Sequence, residues 1–214
     1  MTPSPAISTD RGGAPRALRL PWLTVATALA VVTAFLLPGA AEALEWQREA
    51  IAIGEFWRIL TGHLVHWSAS HLFWDLAAFR VLGASAEYRS RRSFIRFTLI
   101  SALALGLAIP LLQPHLNAYR GLSGLDTALF AHVILGGRSL RQLTGQPLPL
   151  VCLIFLGAKL LFETTTGEAL FAGDLPPGTT VTPAIHLAGL VLALVSSTLE
   201  HGTQGNGHGP ASKA

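Results

Sequence analysis

Three observations predict an all-α membrane protein. Half of the 214 residues are hydrophobic and only 13% are charged, a balance that sets the chain apart from soluble domains. Six apolar runs recur along it, at residues 21–38, 72–86, 94–112, 123–135, 148–162 and 183–199. Clusters of arginine alternate with acidic stretches between those runs. A bilayer-crossing helix takes about 20 mostly apolar residues, so the expected fold is a six-transmembrane-helix bundle over residues 21–199. The second, fourth and fifth runs are short for a full crossing, which local thinning of the bilayer or a helix starting below the surface would accommodate.

Taken in order, residues 1–20 carry Pro, Ser and Arg and read as a flexible tail. The apolar run behind them lacks a convincing leader-cleavage context. Arg11, Arg16 and Arg19 precede the first run. Arg89, Arg91, Arg92 and Arg96 fall between the second and third, and Arg138 and Arg141 between the fourth and fifth. With six crossings these groups share one side. The opposite loops carry Glu42, Glu45, Glu49, Glu55, Glu163, Glu168 and Asp174. The positive-inside rule then puts both termini in the cytoplasm. The arginines are topological, and no nucleic-acid partner is expected from such short flanking clusters.

The longest connection, 42–70, holds Trp46, Trp57 and Trp67 with Ile51, Ile53 and Phe56, and is expected to lie in the outer membrane interface. Asp174, Pro176, Pro177 and Gly178 break the chain before the last run, where a loop could cover the bundle. Cys152 stands alone and cannot make an internal disulfide. Residues 200–214 form a Gly- and His-containing tail expected to be disordered.

Three elements carry chemistry. Gly121-Leu122-Ser123-Gly124 opens the fourth run. By itself such a string is common where membrane helices pack. At a helix N-terminus, however, unpaired N–H groups and the helix dipole favour a developing oxyanion, and the glycines let a substrate backbone approach. His186 lies inside the last run, where an ionisable group is costly and faces protein or water. It could serve as base to Ser123, and Gly189, one turn on, leaves room for a neighbouring helix. His63, His66, His71 and Asp75 form the third element, with His71 and Asp75 on one helix face. That group could bind a metal or furnish polar contacts around an oxyanion, and the spacing leaves both open.

The strings Trp57-Arg58, His66 through Asp75, Gly121-Leu122-Ser123-Gly124 and Ile185-His186-Leu187-Ala188-Gly189 occur in this order on a six-run chain. Together they resemble the rhomboid family of intramembrane serine proteases, over residues 22–199. The resemblance implies a rhomboid-like bundle without a cofactor or metal. It implies Ser123 as nucleophile, His186 as general base, His71 on the oxyanion side with Asp75, Gly121 and Leu122 in support, and Trp57 and Arg58 as structural parts of the outer loop. Two positions depart from the family. Rhomboids usually carry asparagine, an oxyanion donor, where Asp75 stands, and many carry an aromatic residue where Thr127 stands.

Tyr119-Arg120-Gly121-Leu122-Ser123-Gly124-Leu125, together with Lys159 and Glu163, is similar to the rhombosortases. That likeness implies a bacterial inner (cell) membrane location. It also implies single-span membrane protein clients bearing C-terminal Gly-Gly sorting signals. Read from spacing alone, Lys159 and Glu163 are an i,i+4 pair whose lysine snorkels to the interface. The competing readings are a catalytically inactive rhomboid-like protein that binds transmembrane helices, favoured by Asp75 and Thr127, and a metal-dependent protein built on the His63–Asp75 cluster.

Overall fold

The computed structural model describes residues 20–136, 146–172, 174–176, 179 and 181–205. Residues 1–19 of the N-terminal tail, Arg138, Arg141, Pro177, Gly178 and residues 206–214 lie outside the described residues. In chain order the elements are α1 (Trp22–Leu36), α2 (Ala40–Leu44), β1 (Trp46–Gln47), α3 (Arg48–Ala52), α4 (Arg58–Thr61) with a 3-10 turn (Gly62–Leu64), α5 (Ala69–Arg89), α6 (Arg91–Leu112), β2 (Ala118–Tyr119), α7 (Ser123–Leu135), α8 (Pro147–Thr166) and α9 (Pro183–Gly205).

A helix covers most of each predicted run, with different ends. α5 has 21 residues and α8 has 20, so neither is short. Ser68 caps α5 by accepting the His71 N–H at 3.1 Å, four residues before the apolar pattern begins. Pro147 starts α8, where a missing N–H costs nothing. α9 runs on to Gly205, so residues 200–205 of the expected tail are helical. Extending a formed helix adds a hydrogen bond per residue without a new nucleus.

α7 is the centre of the bundle. It has only 13 residues, and residues on every side of it are buried, among them Leu125, Ala128, Leu129 and Ala131. A helix that is apolar all round is one that other elements surround. α7 packs most extensively on α9, and also on α5, α6 and α8. The outer surfaces are different. α6 and α8 are long and apolar enough to cross a membrane, and only 33% and 22% of their most apolar stretches are buried. The core helix of a soluble protein would bury most of that surface. Leu99, Ile100, Leu103 and Leu107 on α6 and Val151, Ile154 and Phe155 on α8 face outward.

The connection 42–70 is not a plain loop. It folds into three short helices, a 3-10 turn and strand β1, which pairs antiparallel with β2 as Trp46↔Tyr119 and Gln47↔Ala118. The all-α expectation therefore misses one two-residue ladder. Trp46 is a core pin rather than an interfacial anchor: it is buried, and its Nε1–H donates to the Gly106 carbonyl at 2.9 Å. Arg48 donates to the carbonyls of Leu116 and Gln113 at 3.2 and 3.1 Å. Arg58 donates to the carbonyls of Glu42 and Glu45 at 2.7 and 3.0 Å. The Arg48 bonds tie the segment before α7 to this outer layer, and the Arg58 bonds hold the layer together. Ile53, Phe56 and Trp57 are exposed, as an interfacial face requires.

At the opposite end of α5, buried Glu87 accepts from the Thr24 N–H at 2.9 Å, the Thr24 hydroxyl at 3.0 Å and Arg91 at 3.1 Å. A carboxylate thus meets the orphan N–H groups at the start of α1. Arg89 donates to the Val133 carbonyl near the C-terminus of α7 at 3.2 Å. Two of the topological arginines are therefore also structural. Glu87→Ala removes the cap of α1 and should cost about 1.5–3 kcal/mol, a hydrogen bond to a charged group. Thermal unfolding in detergent micelles measures this, with faster amide exchange confined first to α1.

Candidate active site

Ser123 is the first residue of α7, and His186 lies in the first turn of α9. Their side chains meet, with Ser123 Oγ 2.9 Å from His186 Nε2. The close approach has a cause in the backbone. A Cβ at Gly189 would sit on the Gly124 carbonyl oxygen and 3.1 Å from the Ala128 N. Only a residue without a side chain lets α9 come this near to α7.

The other ring nitrogen reveals a group that reading by spacing misjudged. His186 Nδ1 is 2.8 Å from Glu163 Oε2, and Lys159 Nζ donates to Glu163 Oε1 at 2.7 Å. Glu163 is buried on the inner face of α8, so the pair is not a snorkelling surface contact. The four side chains form one line: Lys159, Glu163, His186, Ser123. A carboxylate on Nδ1 fixes the tautomer that leaves Nε2 free to take a proton from the hydroxyl. The signal was present in the sequence, since two ionisable residues inside an apolar run are a functional flag. This partner also supplies the ring support that the absent aromatic residue would have given. Thr127 does something else, its hydroxyl donating to the Ser123 carbonyl at 2.9 Å.

On the other side of Ser123, Asp75 gathers the second polar group. Asp75 Oδ2 accepts the Leu122 N–H at 2.8 Å and lies 3.2 Å from both His66 Nε2 and His71 Nε2. Asp75 therefore orients His71 and holds the loop entering α7. The Leu122 N–H, expected as oxyanion support, is occupied by this carboxylate. The N–H groups of Ser123, Gly124 and Leu125 precede the first intrahelical bond, Asp126 N–H to the Leu122 carbonyl at 2.8 Å, and the Gly124 N–H is shared with the Tyr119 hydroxyl. Gly121 has φ 131°, and a Cβ there would be 2.8 Å from the His71 ring. Glycine is thus required both for the turn and for the imidazole beside it.

His63 is apart from this group. Its Nε2 lies 2.9 Å from the Ala102 carbonyl, and its ring meets Tyr119 edge to face. Burial holds the His63 and His66 imidazoles below their usual range, opposed at His66 by Asp75. The ligand atoms of His66, His71 and Asp75 lie within 4.8 Å of one another, close enough to hold a divalent ion. The same closeness follows from Asp75 lying between the two rings, while the His66 and His71 Nδ1 atoms are buried with no hydrogen-bond partner among the described residues.

A cavity of about 750 Å³ lies over these groups and reaches from Trp67 and Arg120 down to Phe130, with Ser123 and His186 in its wall. Its wall is mostly apolar, with a few convergent polar groups, as binding sites generally are. Asp174 Oδ1 accepts from the Ser68 hydroxyl at 2.8 Å. Phe171 lies against Trp74 of α5 and Phe155 of α8, at 5.3 and 6.4 Å between ring centroids. The segment before α9 thereby covers the seam between α5 and α8, which share little direct backbone packing.

Residues 53–202 match the family model of the Rhomboid domain. The chain belongs to the rhomboid family. Rhomboids are membrane proteins, in general intramembrane serine proteases with some inactive members, and the match contains Ser123, His186, Glu163, His71 and Asp75. The exposed apolar faces of α6 and α8 then have their solvent in lipid.

Because the Gly189 contact sets the separation of the two helices, Gly189→Ala should push α9 off α7 and lengthen the Ser123–His186 hydrogen bond. A displacement of about 1 Å at a reacting pair costs about 100-fold in rate. Cleavage assays on the variant check this, with thermal stability measured beside them to separate misalignment from unfolding.

Proposed function

We propose that this rhomboid is an active intramembrane serine protease. It crosses a bacterial inner membrane six times with both termini in the cytoplasm, and it cuts single-span clients near the outer end of their membrane segment. The observation that carries the reading is the unbroken line from Lys159 through Glu163 and His186 to Ser123. A catalytically silent helix-binding member has no use for such a line, which places a carboxylate, an imidazole and a hydroxyl in hydrogen-bonding sequence inside a low-dielectric bundle.

In the mechanism, His186 Nε2 takes the Ser123 proton as Oγ attacks the scissile carbonyl. Glu163 stabilises the imidazolium that forms, and Lys159 keeps Glu163 ionised and in place. The tetrahedral oxyanion is met by the dipole and the first N–H groups of α7, with the His71 ring beside them. His186 returns the proton to the leaving amine. The acyl-enzyme is then resolved by water or another acceptor through the same base.

The likeness of residues 119–125 to rhombosortases supports clients with C-terminal Gly-Gly sorting signals. A client helix reaching Ser123 from the seam between α5 and α8 must first unwind, because helical carbonyls are hydrogen-bonded. Each glycine eases that step by about 1 kcal/mol relative to alanine.

A fluorophosphonate should label Ser123 of the purified protein. Ser123→Ala and His186→Ala should abolish both labelling and client cleavage without loss of insertion. Glu163→Gln should lower the rate by about 10²–10⁴-fold, as loss of a tautomer-fixing carboxylate does. Cleavage by Ser123→Ala protein would end the serine mechanism. Loss of wild-type cleavage on adding a chelator would move the chemistry to a metal held by His66, His71 and Asp75.

Clients give a separate test. Replacing a juxtamembrane glycine with alanine should slow cleavage about fivefold per residue, the rate equivalent of that helix propensity. Gel-based cleavage in proteoliposomes reads this, and equal rates for glycine-rich and stable-helix clients would refute the specificity.

A further inference from the structure

Asp126 is a polar group near Ser123 that the mechanism leaves unused. It sits three residues after Ser123, and Ser123, Asp126, Thr127 and Phe130 form one stripe of α7 along the cavity wall. It is 7% exposed, and neither carboxyl oxygen has a hydrogen-bond partner among the described residues. Its neighbours differ. Glu163 has His186 and Lys159, Asp75 has the Leu122 N–H, and Thr127 has the Ser123 carbonyl. An unmatched buried acceptor destabilises a fold, and apolar side chains fill the neighbouring wall at Phe130 and Leu156 without that penalty. A carboxyl in such a place is explained by a donor that arrives with the substrate.

We propose that Asp126 is a specificity subsite that accepts a hydrogen bond from a short hydroxyl or amide side chain flanking the client's scissile bond. The proposal rests on the protease reading of Ser123. Geometry selects a side chain over the client backbone. Three residues along a helix are about 4.5 Å of rise, so Asp126 lies about that far below the level at which Ser123 must meet the scissile carbonyl. A serine, threonine or asparagine side chain spans such a depth, whereas the backbone stays at the level of the nucleophile. The site is then paired with the glycine-rich stretch: weak helix lets the client unwind, and one donor side chain sets which bond stops at Ser123.

The test uses the full-length protein in proteoliposomes and a single-span client carrying Ser, Asn, Ala or Leu at each of the two positions flanking the cut. Wild type should favour Ser or Asn over Ala or Leu by about 10-fold in kcat/KM at one of the positions, the worth of one hydrogen bond. Asp126→Leu should bring that ratio to about 1, and Asp126→Asn, which keeps an acceptor oxygen, should retain part of it. The ratio is the readout because a general loss of folding lowers both rates and leaves it unchanged. A wild type without preference at either position, or an Asp126→Leu protein that keeps the preference, overturns the subsite. Fluorophosphonate labelling of wild-type Ser123 separates this from the parent reading: labelling with no donor preference sinks the subsite alone, and no labelling with no cleavage sinks both.

Discussion

The contact between the backbones of α7 and α9 at Gly124 and Gly189 is the constraint on which the chemistry depends. In lipid, helices gain little from pressing apolar faces together, so close packing of small residues and polar contacts must hold them. Gly189 lets α9 reach the carbonyl of Gly124, and Ile185 fills the space above Gly124 on the other side. Ser123 precedes Gly124, and His186 lies one turn before Gly189, so the residues that fix the helix separation are neighbours of those that meet. The 2.9 Å hydrogen bond is a consequence of backbone packing more than its cause.

Around that contact two groups of charged side chains are matched, while Asp126 has no hydrogen-bond partner among the described residues. Glu87 and Arg91 close one end, at the start of α1 and α6, while Asp75, Glu163, Lys159 and three histidines surround Ser123. Ionised groups inside a membrane protein persist only when paired and hydrogen-bonded. Lys159 is the cation of the active-site group, and it reaches the serine only through Glu163 and His186. It also lines the cavity and acts electrostatically on Asp126, and these inward partners explain why it lies inward along α8 instead of at the lipid headgroups.

Much of this was legible in the sequence, and the gaps have physical reasons. The helical class and the order of the apolar helices followed from apolar runs, because a membrane helix must hide every backbone polar group within itself. Ser123, His186, Gly189, His71 and Asp75 stand out in the sequence because small or ionisable residues are conspicuous in such runs. Glu163 was misjudged because i,i+4 spacing describes one helix, whereas its partner His186 is 23 residues on in another. Trp46 was assigned to the interface because tryptophan favours both wet boundaries and dry pins, and only its bond to Gly106 distinguishes them. The β1–β2 ladder is two residues long, below any period a sequence can display.

The carboxylate at position 75 shows how one substitution redistributes work in a site. An asparagine there could donate to an oxyanion, but an ionised aspartate can only accept. Here its Oδ2 draws in the Leu122 N–H, with His66 and His71 beside it, and so organises the turn whose φ of 131° only glycine tolerates well. That turn delivers Ser123 to the end of α7. In the mechanism proposed above, the aspartate contributes before the reaction by shaping the approach of Ser123, and negative charge during it is left to the first N–H groups and dipole of α7. A helix of 13 residues, enclosed by its neighbours, suits that duty because its first turn is held still by the same core that holds its last.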